Sequence, residues 1–325
     1  MRVRSIIPAW GLILRGYRPF LSVEITKECP LSCPGCYAFE PGHLNNGCDS
    51  RSLTDLRGDE LIEGILSLVR RHHPLHVSLV GGEPLIRHRE LTPLIRRLQG
   101  LSIEVQVVTS AYRQIPQEWN ELRNLHLVVS VDGLKPEHDL RRYPATYESI
   151  LKNTDNHEII VHCTIIPQFL SNENYLKEFV ETWSLRPNVR KIWFSLFTPQ
   201  KGEHIPERLT AMERTRAIDR IAALRAMYPK LHAPEILLDG YRHPPSSPSH
   251  CIFAQTTHCI APDLSTTILP CQIGGIPECS ECGCLAGAGL TSVGNIRLAG
   301  ILRLWDVFRI SKKLGERLRN GKRIR

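Results

Sequence analysis

The chain has 325 residues, with 41 Lys+Arg against 33 Asp+Glu, a net charge of +8, 42% apolar residues and 6% aromatic residues. That balance is of an ordinary globular protein and excludes a disordered, collagen-like or coiled-coil chain. No run of 18 apolar residues occurs, so no spanning helix is expected, and Met1–Phe20 is a poor signal peptide because Pro8 and Arg15 interrupt its apolar run.

From Phe20 onward, short runs rich in Val and Ile alternate with stretches of helical period. The runs predict strands over Phe20–Thr26, His76–Val80, Ile103–Thr109, Leu125–Val131, Glu158–Ile166 and Lys191–Phe197. Helices are predicted over Asp59–Arg71, His88–Leu98, Tyr147–Asn153 and Tyr175–Trp183, and a further one over Thr210–Met227. Parallel neighbours need a crossover and a crossover usually supplies a helix, so the pattern predicts an α/β fold, a barrel or partial barrel. Pro244, Pro245, Ser246, Ser247, Pro248 and Ser249 read as a linker, which places a boundary near residue 240. The resulting division is an N-terminal basic and apolar arm (1–19), a core barrel (20–240), a cysteine-rich region (241–311) and a basic tail (312–325). A small cysteine-rich segment with little core of its own usually needs a metal to fold.

The eleven cysteines are grouped. Cys29, Cys33 and Cys36 sit on one loop directly after the first strand, and Cys251, Cys259, Cys271, Cys279, Cys282 and Cys284 lie within the last quarter. An odd total with tight C-x2-C spacings favours metal over disulfides and a reducing compartment, so the chain reads as cytoplasmic. Three thiolates on one short loop can hold three irons of a cubane and leave the fourth iron open. A structural zinc site that borrows Cys48 or His43 is the alternative. Val80-Gly81-Gly82-Glu83-Pro84 ends the second strand, and its glycine pair either admits a ligand closely or makes a simple turn.

The Cys29, Cys33, Cys36 spacing together with Gly81-Gly82-Glu83-Pro84 resembles the radical S-adenosylmethionine (radical SAM) superfamily. The resemblance covers residues 20 to about 200 and implies a partial (β/α)6 TIM-like barrel. It implies a [4Fe–4S] cluster on Cys29, Cys33 and Cys36 whose open iron chelates S-adenosylmethionine. Reductive cleavage would then yield a 5′-deoxyadenosyl radical that abstracts hydrogen from a peptide, lipid or small metabolite. By the same resemblance Gly81, Gly82, Glu83 and Pro84 would meet the amino group of S-adenosylmethionine. Thr109 and Ser110 after the third strand, and Ser130 and Asp132 after the fourth, would contact its carboxylate and ribose, although each pair otherwise reads as turn chemistry. Many relatives carry an aromatic residue just before the third cysteine; here Gly35 stands there, and Tyr37 is the substitute for the adenine contact.

Cys259, Cys271, Cys279 and Cys282, with Cys251 and Cys284 as alternates, resemble the SPASM and twitch extensions and imply a second iron–sulfur cluster; a zinc knuckle is the other reading. A flavodoxin or ferredoxin reductant is the implied partner. A non-catalytic iron–sulfur protein, in electron transfer or as a scaffold, is the alternative function.

Cys48 and Cys163 read as buried thiols, and the arginines at 87, 89, 96 and 97 as solvated helix surface with no nucleic-acid motif. Residues 1–20 hold four arginines and no acid, and 312–325 hold seven basic residues against Glu316, so the excess charge sits in the two ends and leaves the body nearly neutral. Such ends are usually solvated, but the apolar run Ile6, Ile7, Trp10, Leu12, Leu14 also suits weak peripheral contact with an anionic membrane.

Overall fold

The computed structural model describes residues 6–40, 42–44, 50–298 and 300–323. Seven parallel strands form one open sheet: β1 (Phe20–Glu24), β2 (His76–Val80), β3 (Glu104–Thr109), β4 (Leu125–Ser130), β5 (Ile159–Ile165), β6 (Val189–Leu196) and β7 (Thr257–Ile260). Their order is β6-β5-β4-β3-β2-β1-β7, so consecutive strands are neighbours except that β7 returns to the free side of β1. This is a partial TIM-like barrel, and all six expected strands are present within two residues of their predicted ends.

The helices are α1 (Ile6–Leu14), α2 (Gly58–His72), α3 (His88–Gly100), α4 (Lys135–Arg142), α5 (Tyr147–Thr154), α6 (Tyr175–Ser184), α7 (Ala211–Arg225), α8 (Glu235–Arg242), α9 (Ile252–Thr256), α10 (Leu285–Asn295) and α11 (Leu304–Arg323). A short antiparallel pair, β8 (Arg297–Leu298) and β9 (Leu302–Arg303), precedes α11.

Local rules account for the crossovers. In α2, Asp59 and Glu60 stand at the positive end and Arg70, Arg71 and His72 at the negative end of the helix dipole, while Leu61, Ile62, Ile65, Leu66 and Val69 are buried. Thr210 begins α7 as its cap, exchanging hydrogen bonds with Glu213. Along β1, Leu21, Val23 and Ile25 face the helices, and the alternate residues Ser22 and Glu24 face the inside of the barrel. The interior row continues with hydrogen-bonded polar side chains. Gln106 donates to Ser78 at 3.3 Å, and His162 and Ser195 meet at 2.8 Å.

Two assigned boundaries fall inside helices. Residue 240 lies within α8 and residue 312 within α11, and β7, from the cysteine-rich region, pairs with β1 as Ser22↔Cys259 and Val23↔Ile260. The Pro/Ser stretch after α8 marks a turn in the chain, while the strand beyond it is only four residues long and too short to stand out by period. Within the N-terminal arm, Ile6–Leu14 form α1, with Ala9 and Ile13 buried.

Candidate radical and auxiliary cysteine sites

The three cysteines of the first loop leave the C-terminal end of β1, where barrel strands present their chemistry. All three are half-buried. Burial pushes the Cys29 thiol up to about 12 and Cys36 up to about 11; Cys33 is raised by burial as well, against the nearby Arg142 guanidinium. Gly35 has φ +67°, and a Cβ there would lie 2.9 Å from the ring of Phe197, so glycine is required and Phe197 fills the room beside it. The Tyr37 ring lies 5.7 Å from that of His43.

The glycine pair after β2 is explained by backbone contact. A Cβ on Gly82 would lie 2.2 Å from the Glu28 carbonyl and one on Gly81 2.7 Å from that of Thr26. The Gly82 and Glu83 amides donate to those same carbonyls at 2.8 and 2.9 Å, lacing this turn to the cysteine loop. Both amides are thereby spent. Pro84 opens the one-turn helix that follows. Glu83 is buried, and its carboxylate accepts from the Leu85 amide at 2.9 Å, the Thr109 hydroxyl, the Ser110 amide at 2.7 Å and the Ser110 hydroxyl at 2.5 Å. Gly81, Gly82, Glu83, Thr109 and Ser110 are thus brought together, with the carboxylate acting as a bracket between the ends of β2 and β3.

Ser130 ends β4 and is buried, as is Asp132. Burial opposes the charge on Asp132, but Arg142 at 3.0 Å and Arg141 at 3.7 Å hold its carboxyl below the usual range. Arg141 also reaches Glu207 and donates to the Pro34 carbonyl of the cysteine loop, both at 3.0 Å. These two arginines of α4 escape a sequence reading because nothing in their spacing separates them from surface charge. Arg87 corrects the expectation of a solvated surface outright. It is buried, 2.6 Å from Asp55 and 3.2 Å from Glu28, and Asp55 in turn accepts from Thr26 at 2.9 Å. Arg87 is the last residue of the one-turn helix Pro84–Arg87, and sequence does not reveal that it turns inward there.

In the C-terminal region, Cys251, Cys271, Cys279, Cys282 and Cys284 line one cavity with Phe253 and Pro277. A Cβ on Gly287 would lie 3.6 Å from the Cys282 sulfur and 3.8 Å from that of Cys284. Arg214 fixes this turn by donating to the carbonyls of Glu281, Cys282 and Tyr241. Burial pushes Cys284 up to about 12 and Cys251 and Cys279 up to about 11. Cys259 is not among the lining residues: it lies on β7, buried with Leu44, Ala261 and Ile268. Cys251, offered only as an alternate, is in the cavity. The resemblance to SPASM and twitch extensions put Cys259 in the set, and its charge acts on Cys271 although it stands outside the cavity lining.

Among the described residues no three His, Cys, Asp or Glu side chains converge on an ion-sized point. His43 is not free to be a zinc ligand, since Nε2 meets Glu24 and Nδ1 the Ile273 carbonyl. Cys48 lies outside the described residues. Cys163 is buried on β5, as expected.

Residues 23–182 match the family model described as the Radical SAM superfamily. The chain is 30% identical over 116 residues to a PqqA peptide cyclase of Bradyrhizobium diazoefficiens, which covers 35% of this chain and 28% of that protein. It is 36% identical over 101 residues to a probable GTP 3′,8-cyclase of Pyrococcus horikoshii, 30% of this chain and 29% of that one. The matched segments thus span less than a third of these curated relatives. Among solved structures, anSMEcpe with bound AdoMet aligns over 78% of this chain and 74% of its own, with TM-score 0.58 and 16% identity. Streptococcus suis SuiB bound to its precursor peptide SuiA aligns over 98% and 70%, with TM-score 0.56 and 15% identity. These two show a shared fold.

Proposed function

We propose that this chain, which carries a radical SAM domain over residues 23–182, is a peptide-modifying enzyme. The cofactors implied by that domain are a [4Fe–4S] cluster and S-adenosylmethionine, and the C-terminal cysteines fit a second cluster in a SPASM-like extension. When bound, they supply a low-potential electron and, through reductive cleavage of the sulfonium, a carbon radical able to take hydrogen from an unactivated C–H bond.

The observation that carries the reading is the convergence, at the C-terminal end of β1, of Cys29, Cys33 and Cys36 with the turn at Gly81 and Gly82. Cys29, Cys33 and Cys36 would hold three irons and leave one open. Gly81, Gly82 and the Glu83 bracket keep the loop in register with β2 and β3, and Thr109, Ser110 and Ser130 line the strand ends where S-adenosylmethionine would lie. Asp132 holds Arg141 and Arg142 beside Cys33, where their positive charge favours a thiolate. A peptide substrate is supported by the PqqA peptide cyclase match and by the SuiB fold likeness, the latter solved with a precursor peptide. Cys251, Cys271, Cys279, Cys282 and Cys284 supply the candidate ligands of the second cluster.

The test is anaerobic reconstitution with iron and sulfide, reduction, and measurement of 5′-deoxyadenosine. Formation by the wild-type chain and its loss in Cys33→Ala are expected. An iron-loaded chain that cleaves no S-adenosylmethionine above background would instead be a non-catalytic iron–sulfur protein.

A further inference from the structure

The two basic ends of the chain meet in the fold. A Cβ on Gly315 of α11 would lie 2.1 Å from the Ile13 carbonyl of α1, and one on Gly16 2.6 Å from the Gly315 carbonyl, so the two backbones touch. Arg319 donates to the Gly16 carbonyl at 3.2 Å and lies over the Tyr17 ring at 4.3 Å. Trp10 and Ile13 of α1 pack with Trp305 and Phe308 of α11, Leu290 of α10 and Ile252 of α9. The result is one helical layer, held to the sheet where Arg18 donates to the Thr257 carbonyl of β7 at 3.0 Å.

The outer side of this layer is apolar and basic. Nine-residue α1 carries no charge, and it exposes Ile6, Ile7 (82%) and Leu14. On α11, Ile310 (62%), Leu314 and Leu318 are exposed at intervals of four residues, which places them in one stripe along the helix. Ile301, at the turn between β8 and β9, is 84% exposed. Each stripe residue of α11 is preceded by a cation, Arg309, Lys313 and Arg317, about 100° round the helix from it. Among the described residues Arg309 has only Asp306, at 3.6 Å, and no ion pair engages Lys313 or Arg317. From Arg297 to the last residue the sequence holds ten basic residues against Asp306 and Glu316.

We propose that the α1–α11 layer docks the enzyme on an anionic lipid surface, with the Ile310–Leu314–Leu318 stripe in the acyl boundary and Arg309, Lys313 and Arg317 at the headgroup phosphates. Charge complementarity selects this occupant, because apolar side chains bordered by a row of cations match a layer of acyl chains bordered by phosphates. The exposed aliphatics are spread over two helices and a turn, and the cavities at the cysteines include none of them, which fits a broad surface rather than an inserted side chain. No described helix is long and apolar enough to cross a membrane, so the contact is peripheral. The inference does not rest on the chemistry assigned to the cysteines.

The full chain would be floated with vesicles of phosphatidylcholine alone and with vesicles containing about one-third phosphatidylglycerol, at low and high salt. Co-flotation at least about tenfold greater with the anionic vesicles, falling at high salt, is expected. Ile310→Gln with Leu314→Gln and Leu318→Gln, and separately Lys313→Glu with Arg317→Glu, should each abolish it while circular dichroism stays that of the wild type. Equal recovery in solution with both vesicle types overturns the proposal. Flotation untouched by either variant does the same. So does a dimer in solution that the triple glutamine variant dissociates, which would make a second copy the occupant.

Discussion

Glu24 and His43 form a buried ion pair that joins the two cysteine sites. Glu24 Oε1 lies 3.1 Å from His43 Nε2 and accepts from Gln272 Nε2 at 2.9 Å, while His43 Nδ1 lies 3.0 Å from the Ile273 carbonyl. A carbonyl only accepts, so Nδ1 carries a proton. Nε2 faces the Glu24 carboxyl. The strand that leads into Cys29 is thereby fastened to the residues that follow Cys271.

That pair gives a pH-dependent stability. Burial opposes the charge on His43, but the hydrogen bond and charge of Glu24 prevail and raise its pKa above the ordinary value. A raised folded value means the contribution is fully present below the unfolded histidine pKa of about 6.5 and is lost as pH rises through the folded one. Denaturant unfolding of the wild type from pH 6 upward should show this loss. His43→Gln should be less stable at pH 6 by about 3–5 kcal/mol and lack that part of the slope. An identical slope in the variant would assign the effect elsewhere.

Iron content separates the cavity cysteines from Cys259. Cys271→Ala or Cys282→Ala should lower bound iron by about four per chain, as Cys33→Ala should at the other site. Cys259→Ala should keep full iron, because the side chain is packed on β7 with Leu44 and Ile268. Loss of a cluster in that variant would place Cys259 among the ligands.

Glycine requirements differ sharply along the chain. Gly82→Ala puts a methyl group 2.2 Å from the Glu28 backbone oxygen, which cannot swing aside, so the soluble yield and thermal midpoint should fall steeply. At Gly100 a Cβ meets nothing within 4 Å and φ is not positive, so Gly100→Ala should change stability by no more than about 1 kcal/mol. Equal behaviour of the two would remove the close-approach argument.

The buried guanidinium of Arg87 is structural. Arg87→Met strands Asp55 without its cation and should cost about 3–5 kcal/mol in unfolding free energy, measured by urea titration. Arg89→Met, on the exposed face of α3, should cost less than about 0.5 kcal/mol.

Much of the fold is legible in the sequence. The six strands stood out because each is a compact β-rich run, and α2 because its buried residues recur with helical period. β7 is not legible because four residues carry no period, so the pairing of Cys259 with Ser22 of β1 does not show in the sequence. Arg87 looked like its neighbours Arg89, Arg96 and Arg97, since local sequence does not say which of several arginines turns inward to Asp55 and Glu28.

The sequence by itself determined the signals from which the chemistry is proposed: three cysteines on one loop after a strand, a glycine pair after the next, and a second cysteine group near the end. Those signals are local, because metal spacing, turn glycines and strand runs are each written within a few residues. Only the tertiary structure decided which side chains share a site. It gathered Cys251 with Cys271, Cys279, Cys282 and Cys284, set Arg141 and Arg142 beside the first loop, and brought α1 against α11. These are contacts between residues far apart in the chain, created when burial of apolar surface packs the helices on the sheet, and no local pattern records them.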